Sequence, residues 1–362
     1  MQDLPDPLRN LAGQPVVDAA SWLARRREIA EVLLPMVYGK LPPATGPTQC
    51  LQLHAAVIQN LAGASLRSCR VTVGGAAPFM LRLFVPAGPG PFPALVSGDA
   101  CWRWAHDAVL QEVLGRGYCF AEFNRVEVAP DPAAALQDLP IAEAAAQSGT
   151  LATWAWAYHR VVDVLLGLDW IEPSAIGVVG HSRGGKAALL AGATDARIAL
   201  TSANNSGAGG AGSFRWTAPG AETLADLVGN YGHWFAPALR DFAGREHTLP
   251  FDQNLLKALV APRALLTTEA LGDHWANPQG SWQTHRASQC VFDLLGAADR
   301  LAIGFRPGGH AHTLADWQVL LDFADAVFRG TPIPAGLSVN PYPDLPLPAR
   351  WLLPGPGSPP AG

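Results

Sequence analysis

Residues 175–193 read AIGVVGHSRGGKAALLAGA. A short apolar run, Ile176 to Val179, comes first; Gly180, Ser182 and Gly184 alternate after it, and alanines, leucines and glycines follow. An unbroken apolar run of this length suits a strand buried on both faces, and the small residues beyond it suit a helix packed close to a sheet. The joint between them fits Gly-x-Ser-x-Gly, a sharp turn whose glycines let backbone pass close and whose serine oxygen stands exposed above the sheet. The five-residue pattern is weak alone, since glycine and serine are common. The strand before it and the helix after it supply its context. The competing reading is an ordinary strand–helix turn with an N-capping serine.

Outward from this point, strand and helix patterns alternate. Upstream, FPALVSG (92–98) reads as a strand, DAVLQEVLGRG (107–117) as a helix and YCFAEFNRVEVAPD (118–131) as a strand running into a loop. TWAWAYHRVVDVLLGLDW (153–170) is a further helix. Downstream come strand RIALTSAN (197–204), strand PRALLTTEA (262–270), helix GSWQTHRASQCVFDLLG (280–296), strand LAIGFRP (301–307) and helix LADWQVLLDFADAVFRG (314–330). LRSCRVTV (66–73) and FMLRLFVPAG (79–88) read as an antiparallel edge, and SWLARRREIAEVLLPMVYG (21–39) as a helix with its arginines on the outer face. Such alternation predicts an α/β architecture, a mostly parallel central sheet with helices on both faces in three layers. With the serine turn, it points to the α/β-hydrolase fold. Residues 1–334 are expected to form one such domain, with 206–260 an inserted, cap-like region and 335–362 a proline-rich tail that hugs the surface or is partly disordered.

Composition narrows the function. Of 362 residues, 49% are hydrophobic and 15% charged, enough for a large core and too apolar for global disorder. A net charge of −5 with no long basic run argues against nucleic-acid binding. No apolar stretch is long enough to span a membrane. Cys50, Cys69, Cys101, Cys119 and Cys290 form no Cys-x-x-Cys pair, so neither a metal site nor a redox motif is expected; buried free thiols are the simplest reading, with one disulfide left open. The start, MQDLPDPLRN, shows no signal peptide. A cytoplasmic protein is expected unless a signal was removed, in which case a secreted or periplasmic one is. A monomer is expected.

If Ser182 is a nucleophile, a base and an acid must follow on later strand ends. The base of this fold sits just after the last strand, where LAIGFRPGGHAHTLADW (301–317) offers His310 and, two residues on, the alternative His312. Gly308 and Gly309 let that loop turn back across the strand ends. For the acid, LLTTEALGDHWANPQG (265–280) offers Asp273, with Glu269 in reserve; the strand end after the serine helix, TSANNSGAGG (201–210), has asparagines only. The chain order Ser182, Asp273, His310 is that of the α/β-hydrolases. Arg183 and Lys186 are unexpected in the first turn of a helix, where cations oppose the dipole. Both are read as facing something negative, such as an oxyanion, a carboxylate or a sugar face, against the plainer reading of two solvated surface cations.

At these residues the chain resembles the glucuronoyl esterases, the fifteenth family of carbohydrate esterases, in their bacterial branch. The resemblance runs from LPDPLRNLAGQPVVDAASWLARRREIAEVLLPMVYGKLPP (4–43) to LLDFADAVFRG (320–330). Its most specific piece is Ser-Arg-x-Gly-Lys at 182–186, and NSGAGGAG (205–212), GAETLADLVGNYGHWF (220–235) and GDHWANPQGSW (272–282) read as further family blocks. The resemblance implies that Arg183 helps stabilise the oxyanion, that Lys186 and Glu222 bind sugar hydroxyls and that Trp275 lines the site, with Trp234 flanking it. Many members carry a catalytic glutamate where Asn205 stands here, which leaves Asp273, a position some bacterial members also use. The disulfide that flanks serine and histidine in fungal members is missing.

The expected function is hydrolysis of esters of (4-O-methyl-)glucuronic acid on glucuronoxylan, with lignin-like or methyl alcohols leaving, through a Ser–His–Asp triad and an acyl-enzyme. No cofactor or metal is required, and the expected partner is a carbohydrate ester, a glucuronoxylan fragment. Two rivals stand beside it: an acetyl or feruloyl xylan esterase of the same fold, and a non-catalytic carbohydrate-binding protein using Trp234 and Trp275.

Overall fold

The computed structural model describes residues 3–43, 46–102, 104–131, 148–345 and 347–348. Its frame is a nine-stranded sheet in the order β1-β2-β3-β5-β4-β6-β7-β8-β9. The strands are β1 (Thr48–Ile58), β2 (Ala64–Val73), β3 (Phe79–Val85), β4 (Phe92–Ser97), β5 (Cys119–Phe123), β6 (Ile171–His181), β7 (Leu200–Asn204), β8 (Ala264–Ala270) and β9 (Leu301–Arg306). The first three pair antiparallel, and β3 joins β5 in the same sense. From β5 through β4, β6, β7 and β8 to β9 every pairing is parallel. This is the mixed sheet of the α/β-hydrolase fold.

Alternation along the strands divides the core between two faces. Ala94, Val96, Cys119 and Ala121 pack into one cluster with the helices Ala19–Glu28 (α1), Leu34–Tyr38 (α2) and Thr150–Leu166 (α5). Helices Arg183–Thr194 (α6), Gln253–Ala258 (α8) and Pro278–Leu294 (α9) cover the same face. Leu95, Phe120, Val179 and Leu266 face the other way, onto Asp107–Gly115 (α3) and Leu314–Arg329 (α10). Arg125–Val128 (α4) is a single turn after β5, and Leu224–Asn230 (α7) lies within the 206–260 segment. Both faces of the parallel strands are therefore buried, which explains their unbroken apolar runs.

Three details differ from the sequence expectation. Strand β1 carries no assignment in the sequence reading; it is the outer edge strand, exposed over nearly its whole length, with Leu51, Leu53 and Val57 on its surface. The stretch 21–39 is not one continuous helix: residues Ile29–Leu33 form a π-helical turn between α1 and α2, with Pro35 just inside α2. Its arginines do not all face outward either, since Arg25 is buried and paired with Glu28. The five cysteines are free thiols, of which Cys69 and Cys119 are buried and Cys50 is exposed. Beyond Gly330, the described part of the tail lies on the edge strand β9, where the Ser338 N–H donates to Ile303 O at 2.6 Å. Residue 346 and residues 349–362 lie outside the described residues. Among the described residues no helix is long and apolar enough to cross a membrane.

Candidate active site

The site gathers at the carboxyl ends of β4, β6, β7, β8 and β9. Ser182 follows β6 with φ 54° and ψ −123°, a conformation that a side-chain-bearing residue adopts only under constraint. The turn is held by the Ser182 N–H donating to Asn204 O at 2.9 Å and the Lys186 N–H donating to Ser182 O at 3.0 Å. Its glycines are obligatory for a steric reason. A Cβ on Gly180 would collide with the carbonyl of Gly184, and one on Gly184 would collide with the carboxylate of Asp99.

His310 stands between serine and acid. Its Nε2 lies 2.9 Å from Ser182 Oγ and its Nδ1 lies 2.5 Å from Asp273 Oδ2. Asp273 is buried, whereas the His310 side chain is about half exposed (47%), so the carboxylate is shielded while the imidazole remains open to the cleft. The loops carrying them are tied together by the Gly272 N–H donating to Gly308 O at 2.9 Å. Arg306 braces the histidine loop: its Nε donates to both carboxylate oxygens of Asp316 at 2.8 Å, and its Nη2 donates to the carbonyls of Gly309 and Ala311. The two alternatives fall elsewhere. His312 is stacked between His181 and Trp317, with ring centroids 5.5 and 5.0 Å away, and His310 rather than His312 occupies the place between Ser182 and Asp273. Glu269, the reserve acid, is fully buried inside β8, and Asp273 rather than Glu269 meets the imidazole.

Both cations at the start of α6 have carboxylate partners within the protein. Arg183 pairs with Asp131 and lies over the faces of Trp234 and Tyr231, 4.9 and 5.6 Å from their centroids. Burial alone would raise Asp131, but the His233 imidazole nearby and hydrogen bonds from Arg183 and Trp234 hold its carboxyl well below the usual range. Lys186, nearly fully buried, donates to Glu222 Oε2 at 2.9 Å and to the carbonyl of Ala208. Neither of the two sequence readings is thereby complete: Lys186 is buried, Arg183 is only partly exposed, and the first partner of each is a protein carboxylate. The Glu222 N–H donates in turn to Trp275 O at 3.0 Å.

Ser182, Arg183, Lys186, Glu222, Trp275 and His310 line one pocket of about 120 Å³, with Asn205 also in its wall. Trp275 offers a half-exposed indole there (47%). Trp234 lines the same pocket but is buried (2%), and its Nε1–H donates to Asp131 Oδ1 at 2.8 Å, so it is a platform beneath Arg183 more than an open sugar face. Asn205, at φ 42°, accepts from the Ala270 N–H at 2.7 Å through Oδ1. That bond pins the strand end from which the acid loop departs.

Several residues of the site were not anticipated. Asn204 orients His181: its amide Nδ2 donates to Thr268 Oγ1 at 2.9 Å, which turns Oδ1 toward His181 Nδ1 at 2.6 Å, so that nitrogen carries the proton. Burial pushes His181 below its usual value, which keeps the ring neutral beside His310. Asp99 accepts from the His181 N–H at 2.7 Å and pairs with the fully buried Arg125. Only the Thr-x-x-Asp capping box at Thr313 and Asp316 had left a local signal, because the other contacts join distant segments. Among the described residues no cluster of three or more histidine, cysteine or acidic side chains is arranged to hold a metal ion.

A strand-to-helix elbow carrying a serine, an imidazole and an acid from successive strand ends defines an ester hydrolase of the α/β-hydrolase class. The family model described as "Glucuronyl esterase, fungi" matches residues 71–296, and the chain belongs to the glucuronoyl esterase family. It is 30% identical to a 4-O-methyl-glucuronoyl methylesterase of Podospora anserina, over 85% of this chain and 63% of that protein. It resembles the glucuronoyl esterase from Solibacter usitatus with a TM-score of 0.81 at 28% identity, covering 91% of this chain and 98% of that one. A variant of the glucuronoyl esterase from Sporotrichum thermophile, solved in complex with methyl 4-O-methyl-β-D-glucopyranuronate, matches with a TM-score of 0.74 at 26% identity over 97% and 94% of the two chains.

Proposed function

We propose that this chain hydrolyses esters of glucuronic acid or its 4-O-methyl derivative on glucuronoxylan, with Ser182 as nucleophile, His310 as general base and acid, and Asp273 as the group that orients it. The observation that carries the reading is the pocket in which Ser182 and His310 face the Lys186–Glu222 pair. A uronate ring offers hydroxyls that accept from Lys186 Nζ and donate to Glu222, and Trp275 offers an apolar face to the ring. The complexed relative, with a methyl glucuronate bound, supports the same substrate class.

In the first step His310 Nε2 takes the Ser182 proton while Oγ attacks the ester carbonyl. The N–H of Arg183 and its guanidinium are the donors available to the tetrahedral oxyanion, and a donor of this kind is worth about 3 kcal/mol. As the C–O bond breaks, the imidazolium protonates the alcohol. Water, deprotonated by His310, then releases the uronate. Asp273 stabilises the imidazolium without taking its proton.

The test is hydrolysis of benzyl and methyl glucuronate beside a simple acetyl ester, with Ser182→Ala as the blank. Preferential cleavage of the uronate esters is expected. Cleavage of the acetyl ester alone would keep the triad and overturn the substrate.

A further inference from the structure

At the outer edge of the sheet, two thiols share one face of the β1–β2 ribbon. Gln52 pairs with Cys69 and Cys50 with Val71, so Cys50, two residues before Gln52, is the diagonal neighbour of Cys69 on the same face. Both cysteines line a cavity of about 280 Å³, together with Arg67, Asp163, Leu168 and Trp170. In the strand order β1 stands far from β6, roughly 24 Å at ordinary strand spacing, so the pair is no part of the ester site.

A free cysteine usually behaves as a small buried hydrophobe. Cys69, 3% exposed, fits that description, whereas Cys50 stands exposed on an edge strand and contributes no core packing. The surroundings also separate this pair from the other three cysteines. Burial pushes Cys101 up to about 11 and Cys119 and Cys290 up to about 12, which leaves all three as inert thiols near neutral pH. Cys69 is held below its usual value, first by the Cys50 thiol beside it, against the effect of burial, and then by the Arg67 guanidinium. Arg67 is itself fixed over the Trp170 ring, 4.8 Å from its centroid. The Asp163 carboxylate in the same wall is already engaged, by Thr48 and by Arg160 and Arg197 at 2.9 and 2.6 Å. A thiol with thiolate character beside a second thiol is the arrangement in which oxidation stops at a disulfide.

We propose that Cys50 and Cys69 form an oxidation site, at which a hydroperoxide converts the two thiols into a disulfide that staples edge strand β1 to β2. With hydrogen peroxide, the Cys69 thiolate attacks one oxygen and the O–O bond breaks. The sulfur is oxidised to a sulfenic acid, and the departing oxygen takes up a proton to leave as water. The Cys50 sulfur then attacks the sulfenic sulfur, the S–S bond forms, and the hydroxyl leaves with the Cys50 proton as a second water. Two thiols and one peroxide thus give one disulfide and two waters.

Diagonal Cα atoms of an antiparallel pair lie about 7–8 Å apart, and a disulfide needs about 1 Å less. Closure therefore draws β1 inward. The strand is free to follow, because among the described residues no strand pairs with its outer side, and its register already shifts between Gln52 and His54. None of this depends on the ester chemistry at Ser182.

The test treats the full chain with hydrogen peroxide at neutral pH and digests it without reductant for mass spectrometry. A peptide pair joined through Cys50 and Cys69 is expected, about 2 Da lighter than the two free peptides and released by dithiothreitol. Hydrogen exchange at the β1 amides is expected to slow about tenfold in the oxidised chain. In Cys50→Ser, a change at an exposed position, the linked pair should vanish and dimedone should label Cys69 instead. Survival of all five free thiols, oxidation confined to Cys101 or Cys290, or a bond joining Cys50 of two copies would each overturn the site. Unchanged exchange along β1 in a chain that carries the bond would overturn the staple.

Discussion

At Ser182 the backbone adopts a conformation that costs a non-glycine residue about 1–3 kcal/mol. Replacing the side chain therefore has two separable effects. Ser182→Ala should abolish turnover and keep the strain, while Ser182→Gly should abolish turnover and raise the unfolding free energy by about 1 kcal/mol, read from thermal or urea unfolding. Equal stability of the two variants would mean that the elbow is not strained. The acid is equally open to test. Asp273 contacts His310 Nδ1 directly, so Asp273→Asn should lower kcat by about 10⁴, the loss seen when an amide replaces a triad carboxylate. Glu269→Gln changes nothing that touches the imidazole, so kcat measured well below its unfolding temperature should stay close to that of the parent. Comparable losses in both would remove Asp273 from its role.

At the scale of elements, β8 carries a conflict that its sequence position alone does not disclose. Glu269 is buried within it beside the equally buried Lys257 of α8. Burial pushes Glu269 up and Lys257 down, while the attraction between them opposes both shifts. Lys257 Nζ also donates to Ser281 O at 3.0 Å, which fastens α8 to α9. Removing one partner leaves the other buried without its compensation. Glu269→Leu alone should therefore destabilise the fold by about 3 kcal/mol, and the double change Glu269→Leu with Lys257→Met should recover most of it. Denaturant unfolding of the three variants decides the matter, since additive losses would show that the two sites are independent. Helix α6 shows a related compromise. Its first turn bears Arg183 and Lys186 against the dipole, and Asp131 and Glu222 reach in from other segments to offset them.

For the whole molecule, the buried carboxyl of Glu122 links stability to pH. It holds its proton to about pH 7 in the folded chain and to about 4.5 when unfolded. Between those values the native state binds more protons than the unfolded one, so stability from this group is full below the window and falls as pH rises through it. The loss of unfolding free energy between pH 5 and pH 8 should shrink in Glu122→Gln, by up to about 3 kcal/mol. An identical pH dependence in both proteins would show that Glu122 ionises normally. The same scale explains what was readable beforehand. The parallel strands and their covering helices were legible because each buries both faces or one stripe, and burial writes itself into periodicity. Strand β1 was not, because its apolar residues Leu51, Leu53 and Val57 lie exposed on an edge and mark no buried face.

The chain's sequence by itself determined the α/β alternation, the glycine-flanked serine at the elbow and the order of serine, acid and histidine along the chain. Those features depend on residue type and on near neighbours. Tertiary structure alone brought His310, not His312, against Ser182 and Asp273, not Glu269, against that imidazole, because each contact turns on which side chain reaches across from a different strand end. It also supplied the carboxylate partners of Arg183 and Lys186, and the packing of His181 against His310. Asp131 lies 52 positions from Arg183 and Glu222 lies 36 from Lys186. Contacts between segments so far apart leave no local period or spacing to read, and only the folded sheet brings them within reach.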